Sequence, residues 1–183
     1  CQRNISLEMD SIEISDNAII DAKINIDNCD WSKRIKLFHK DLKGFSPNTN
    51  YDLIVSNPPY FKESLKPSNL ERLKARHQND LNFEDIVKFS EKNLTKNGSL
   101  NIILPYDQKK EAIELAKKYR LISVRECSVY PKPNKPPHRV LIEFSRDENK
   151  KNSKESLVIE ENGRHNYSKE YKKLTREFYT IFE

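Results

Sequence analysis

Residues 51–60 read Tyr-Asp-Leu-Ile-Val-Ser-Asn-Pro-Pro-Tyr. The run from Tyr51 to Ser56 is apolar and short, the pattern of a strand buried on both faces. Asn57-Pro58-Pro59 stops it, because proline lacks the N–H that a central strand must donate. The strand therefore carries an amide, two prolines and an aromatic ring to its C-terminal end, the end at which open α/β sheets bind ligands. Asn57 offers a side-chain carbonyl oxygen, and Pro58 offers a backbone carbonyl in an open turn. Together they can accept both hydrogens of an exocyclic amino group and leave its lone pair pointing outward. The fixed φ of Pro58 and Pro59 pre-positions these acceptors. Tyr60 adds a face on which a planar base or amide can stack, and Phe61 extends it.

Outward from this stretch, strand-like and helix-like segments alternate. Upstream, Leu7 to Ile14 alternates as a strand and carries Glu13 near its end. Ser15 or Asp16 can cap a helix to about Asn28, and Arg34 to His39 is a strand followed by Asp41. Downstream, Asn82 caps a helix to about Leu94, with Asp85 as its capping-box acid and Gly98 placed as a left-handed C-cap. Strands are expected at Ser99–Leu104, Leu121–Tyr130 and Arg139–Phe144, with a helix over Gln108–Tyr119 and a proline-rich loop over Pro131–Pro137. Asp147 to Glu155 reads as a solvated linker or hairpin tip, Leu157 to Ile159 as a short strand, and Ser168 to Phe182 as a terminal helix. The alternation predicts an α/β fold with a mostly parallel sheet. The last two strands have no helix between them and are expected to form an antiparallel pair at an edge.

Composition narrows the chemistry. The 183 residues hold three glycines, Gly44, Gly98 and Gly163, none close to another. This excludes a G-x-G-x-x-G turn or a P-loop within the chain. Lys and Arg exceed Asp and Glu by 33 to 28, for a net charge of +5. Such a balance suits nucleic-acid binding and equally suits a well-solvated surface. Basic residues gather at Lys62, Lys66, Arg72, Lys74, Arg76 and His77, at Lys132, Lys135, His138 and Arg139, and at Lys169, Lys172, Lys173 and Arg176. Arg76 and Arg139 are the strongest individual candidates for contacts to nucleic-acid phosphates. Cys1, Cys29 and Cys127 are odd in number and widely spaced, which fits a reduced, cytoplasmic setting. No His or carboxylate pair has metal-site spacing, and no apolar run reaches membrane length, so neither a metal nor a membrane is expected.

Asp52-Leu53-Ile54-Val55-Ser56-Asn57-Pro58-Pro59-Tyr60 resembles motif IV of the amino-group methyltransferases that use S-adenosylmethionine. Ala75-Arg76-His77, the segment Pro137 to Ser145 and the closing segment Tyr167 to Tyr179 are similar to the bacterial tRNA adenine-N6 members that act on adenine 37 of tRNA1(Val). The resemblance implies a class I, Rossmann-like methyltransferase sheet with an antiparallel C-terminal strand pair. It also implies S-adenosylmethionine as cofactor and the tRNA anticodon loop as partner. By the same resemblance, Asn57, Pro58 and Tyr60 are catalytic, and Glu13, Asp41, Leu42 and Asn57 meet the cofactor. Pro59, Phe61, Arg76 and Arg139 meet the substrate. The family carries a glycine-rich loop ahead of the Glu13 strand, whereas only six residues precede Leu7 here and none is glycine. The chain is therefore expected to be one methyltransferase domain over 1–183 that lacks its first strand. Two other readings stay open: a protein-glutamine N5-methyltransferase using the same Asn-Pro-Pro-Tyr, and a non-catalytic RNA-binding remnant of the fold.

Overall fold

A computed structural model of the chain describes residues 1–58, 81–161 and 163–182. The chain divides into two compact units, Cys1–Asn48 and Thr49–Glu183.

In the first unit, β1 (Met9–Glu13) and β2 (Ile35–His39) pair in parallel, from Met9 opposite Ile35 to Glu13 opposite His39. Helix α1 (Asp16–Asp27) connects them. Its N-cap is Ser15, whose Oγ accepts from Ala18 N–H at 3.3 Å and so satisfies one orphan donor of the first turn. None of the residues of α1 is buried, in keeping with its loose apolar face. Arg34 holds the N-terminal residues in place: Nη1 donates to Asn4 O at 2.8 Å and Leu7 O at 3.2 Å, and Nη2 donates to Cys1 O at 3.3 Å. Phe45 is buried and meets the Phe38 ring at 4.9 Å.

The second unit contains a five-stranded sheet in the order β3-β4-β6-β5-β7. Its strands are β3 (Tyr51–Ser56), β4 (Leu94–Pro105), β5 (Ile122–Tyr130), β6 (Arg139–Ser145) and β7 (Ser153–Val158). Among the described residues, its α-helices are α2 (Phe83–Asn93), α3 (Lys109–Lys118) and α4 (Lys169–Thr175). β3 is parallel to β4, β7 is parallel to β5, and β6 is antiparallel to both β4 and β5. The other four strands therefore run one way, and β6 alone runs against them.

The core lies in this unit. Leu100, Ile102 and Leu104 alternate on β4 and pair with Phe144, Ile142 and Val140 of β6, and all six are buried. Phe83, Ile86 and Val87 of α2 and Ala112 and Ala116 of α3 are buried with them. Burying each of the larger side chains contributes about 1.5–3 kcal/mol. Helix α2 opens on the expected capping box, with Asn82 Oδ1 accepting from Asp85 N–H at 2.9 Å and Asp85 Oδ2 accepting from Asn82 N–H at 3.1 Å. The Tyr119 hydroxyl donates to Glu84 on α2, and Arg120 pairs with Glu91 at 2.9 Å, tying the end of α3 to α2.

Four expectations are corrected. The antiparallel C-terminal pair exists as β5 and β6, but inside the sheet, and the edge belongs to β7, which runs parallel to β5. β7 begins at Ser153, within the expected linker, because Arg125 on β5 grips Glu155 with Nε and Nη2 at 2.8 and 2.9 Å and draws the polar stretch into the ladder. β3 is not buried on both faces: it has one partner strand among the described residues, and Val55 is 71% exposed. The terminal helix stops at Thr175, and the chain turns so that Phe182 packs edge-on against Tyr167 at 5.2 Å.

Gly98 is also not a left-handed cap, since Gly163 is the glycine with positive φ. It lies within β4, where the register with β3 shifts between Tyr51 and Leu53. A Cβ there would sit 2.7 Å from the Tyr51 carbonyl oxygen and 3.0 Å from Thr95 Oγ1. The requirement is close backbone approach rather than conformational freedom. Gly98→Ala is expected to destabilise the fold by about 1–3 kcal/mol, read as a lowered Tm in thermal unfolding. An unchanged Tm would remove this role.

Candidate active site

Three expected cofactor residues share one end of the small sheet. Glu13 ends β1 opposite His39, the last residue of β2, and Asp41 and Leu42 follow two and three residues later. One Glu13 oxygen accepts from Ser15 N–H at 2.8 Å. An ionised carboxylate has about four acceptor sites, so it retains capacity for hydroxyl donors. Asp41 Oδ1 accepts from Lys43 N–H at 2.9 Å, and the Asp41 carbonyl accepts from Gly44 N–H at 3.1 Å. This tight turn sets Leu42, half-buried, beside the carboxylate. The arrangement supplies two carboxylates and an apolar side chain at the carboxyl end of parallel strands, the chemistry that a ribose diol and an adenine ring require.

In the second unit, Asn57 and Pro58 leave the carboxyl end of β3, with Asn57 exposed and Pro58 buried. Pro59, Tyr60, Phe61 and Arg76, with Lys62, Lys66, Arg72, Lys74 and His77, lie outside the described residues. Arg139 begins β6 opposite Pro105, the last residue of β4. Because β6 is reversed, its start falls at the same end of the sheet as Asn57. Ser56 pairs with Ile102, three residues short of Pro105, so Arg139 stands further out along β4 than the end of β3.

The loop carrying Lys132, Lys135 and His138 is pinned over this end. His138 N–H donates to Val129 O at 2.8 Å, and Tyr106 N–H donates to His138 O at 3.2 Å. Arg139 Nη1 donates to the same His138 carbonyl at 3.2 Å. The turn Tyr106–Gln108 is a site element that the sequence reading missed, since it ended the strand at Leu104 and began the next helix at Gln108. Its signal was present, since Pro105-Tyr106 after an apolar strand repeats the proline-aromatic ending of β3.

Beside this turn is an open cavity of about 490 Å³, lined in part by Tyr106, Asp107, Lys109, Glu126 and Lys154. Glu126 is its buried member, 4% exposed. Its carboxylate pairs with Lys109 Nζ at 2.5 Å and accepts from Asn152 Nδ2 at 2.6 Å and Ser123 Oγ at 3.1 Å. Burial pushes this carboxyl up, and the hydrogen bonds from Lys109, Asn152 and Ser123 outweigh it and hold the carboxyl below the usual range. Among the described residues, no helix is long and apolar enough to cross a membrane.

The sheet order and its reversed strand define a class I methyltransferase fold. A solved structure of "a predicted O-methyltransferase" from Agrobacterium tumefaciens superposes with a TM-score of 0.70 at 18% identity, covering 92% of this chain and 77% of that one. The N-methyltransferase NodS from Bradyrhizobium japonicum, solved with S-adenosyl-L-homocysteine, superposes with a TM-score of 0.51 at 16% identity over 77% of this chain and 67% of its own. Residues 2–107 match the family model described as RMKL-like, methyltransferase domain. The tRNA1(Val) (adenine(37)-N6)-methyltransferase of Parabacteroides distasonis is 37% identical over 97% of this chain and 75% of its own length. The Flavobacterium psychrophilum protein of the same name is 34% identical over 97% of this chain and 76% of its own length. The chain belongs to this methyltransferase family, in the branch whose curated members carry that tRNA adenine-N6 name.

The Glu126 cluster generates a pH prediction. A carboxyl whose folded pKa lies below its unfolded value of 4.5 contributes stability above that value and loses it as pH falls through the folded one. Glu126→Gln is expected to cost about 1–3 kcal/mol at pH 7. Thermal melts of the two proteins should converge as the pH is lowered past 4.5. A gap that stays constant across that range would show that the ionised form does not matter.

Proposed function

We propose that the protein transfers a methyl group from S-adenosylmethionine to the exocyclic N6 of an adenine in tRNA. Its relatives are named for adenine 37 of tRNA1(Val), and the partner surface assigned to the target is the anticodon loop. The observation that carries this reading is the pair Asn57 and Pro58 at the carboxyl end of β3, at the same sheet end as Arg139 and the 131–138 loop. The family match over 2–107 takes in all but the first residue of the first unit and part of the second, which supports one methyltransferase domain over 1–183. A cytoplasmic location follows from a tRNA substrate.

S-adenosylmethionine, when bound, would supply an electrophilic methyl group whose bond to the sulfonium sulfur breaks as the methyl is transferred, the neutral thioether S-adenosylhomocysteine being the leaving group. Glu13 would accept hydrogen bonds from the cofactor's ribose hydroxyls, Asp41 would accept from its adenine amino group, and Leu42 would pack against the ring. The Asn57 side-chain oxygen and the Pro58 carbonyl accept both N–H groups of the target amine and direct its lone pair outward. Positive charge grows on that nitrogen as its new bond forms, and these two fixed dipoles stabilise it. No side-chain base is required, because the methylated nitrogen is acidic enough to release its proton to water. Orientation by the β3 terminus removes much of the entropic barrier. Tyr60, Phe61 and Pro59, by the family resemblance, would offer the stacking and contact surface for the extruded base. An anticodon-loop adenine is already unpaired, so extruding it costs less than flipping it from a duplex. Arg76 and Arg139 hold adjacent phosphates.

Asn57→Ala is expected to lower kcat on unmodified tRNA by roughly 10²–10³-fold and to leave S-adenosylmethionine affinity near the parental value. Glu13→Gln should do the reverse, weakening cofactor binding in calorimetry with a smaller effect on kcat at saturation. Near-parental turnover by the Asn57 variant would overturn the assignment.

A further inference from the structure

The C-terminal segment forms a surface that the active site does not use. Ser168 is 1% exposed and fixes the segment to the carboxyl end of β7: its Oγ donates to Val158 O at 2.6 Å, and its N–H donates to Ile159 O at 2.8 Å. The same Oγ caps α4 by accepting from Tyr171 N–H at 3.0 Å. Tyr167 and Tyr171 stack at 5.5 Å, and the Phe182 ring stands edge-on to both. Tyr179 meets Phe182 at 6.1 Å. Rings packed in this way hold one another in place, yet the outer apolar side chains stay in water: Phe178 is 54% exposed, Tyr179 48% and Ile181 64%.

Charge identifies the occupant. Residues 164–182 contain five basic side chains, Arg164, Lys169, Lys172, Lys173 and Arg176, against the two acids Glu170 and Glu177. This short stretch therefore holds +3 of the chain's net +5. All five basic side chains are exposed. Exposed aromatics among uncompensated cations form the surface that unpaired RNA fits, with bases on the rings and phosphates on the cations. A purely apolar partner would leave the cations desolvated and unpaired.

Position adds to this. β7 runs parallel to β5 and in the same sense as β3, so this surface lies at the sheet end that carries Asn57. Four strand spacings separate β3 from β7, which is roughly 20 Å. That is too far to touch the methylated base and suits RNA flanking it. We propose that residues 164–182 dock the RNA flanking the target adenine, stacking an unpaired base on Tyr179 and holding phosphates with Lys172, Lys173 and Arg176. The proposal rests on the tRNA reading above and assigns that substrate a second contact surface.

The test uses the full chain and an unmodified tRNA transcript, with binding measured across a KCl series. The triple variant Lys172→Ala/Lys173→Ala/Arg176→Ala should bind at least about 10-fold more weakly, and its log–log salt slope should fall by about 2. Tyr179→Ala should weaken binding by about 10-fold, and Tyr179→Phe, which keeps the ring, should stay within about 2-fold of the parent. S-adenosylmethionine affinity and Tm should hold in the triple variant. Parental tRNA affinity and slope in that variant overturn the proposal, as does a change confined to sedimentation, which would make the surface a contact between copies. If the unaltered chain binds tRNA but methylates no adenine, the functional reading fails and the docking surface stands on its own binding data.

Discussion

The second unit depends on one reversed strand. β6 pairs with β4 through seven residues, from Ser99 opposite Ser145 to Pro105 opposite Arg139, and pairs on its other side with β5. An antiparallel neighbour can follow β5 through a short loop, whereas a parallel one would need a long crossover. That loop, residues 131–138, is thereby forced to the carboxyl end of β3 and β4. The backbone bonds from His138 to Val129 and from Tyr106 to His138 then fix it there. Asn57, Tyr106 and Arg139 share one end of the sheet because of this single inversion. Without it, Arg139 would start a strand at the opposite end, far from any amine that Asn57 could hold.

The same inversion places Glu126. The residue lies on β5 opposite Ile142 of β6 and Lys154 of β7, and it faces the start of α3. A lone carboxylate there would be costly to bury. Three donors answer it from three places: Lys109 at the head of α3, Ser123 on its own strand, and Asn152 just before β7. One buried charge thus secures a helix and an edge strand against the same ladder. The Arg125–Glu155 fork does the same on the exposed side, where solvent screens it and geometry matters more than energy. The edge strand that anchors the C-terminal surface is consequently held by polar contacts rather than by burial.

Local chemistry was legible in the sequence wherever neighbouring residues decide it. Asn82 and Asp85 announced their capping box, Ser15 announced its cap, and the prolines after Ser56 announced the strand end, because each depends on residues at most three apart. Gly98 looked like a helix cap because its true constraint, the Tyr51 carbonyl at 2.7 Å from a Cβ, comes from a strand more than forty residues away. β7 looked like a linker because Ser153 to Glu155 is polar, and partners on β5, with Arg125 gripping Glu155 and Glu126 holding Asn152, bring it into the ladder. The terminal helix looked long because its apolar spacing continues past Thr175. The rings of Tyr167 and Tyr171 instead capture Phe182 and turn the chain back. At the candidate site, Glu13, Asp41 and Asn57 were readable as strand-end residues, while Tyr106 carried only a local proline-aromatic signal and owes its place to a pairing with the His138 carbonyl, distant in sequence.

These long-range constraints bear on how the site can work. Asn57 is exposed while Pro58 is buried, so the acceptor proposed to meet substrate is in water and the residue proposed to aim it is anchored. An amide in water can select an amino group only if its partner acceptor is fixed, because a freely rotating pair would solvate any donor. Proline is the residue that fixes φ without adding an N–H that would itself need a partner. A charged acceptor would attract protons and cations as readily as an amine. A neutral amide and a neutral carbonyl instead respond to the two N–H dipoles and to the charge that grows as the nitrogen reacts. The specificity proposed for the β3 terminus therefore comes from geometry held by the sheet rather than from charge.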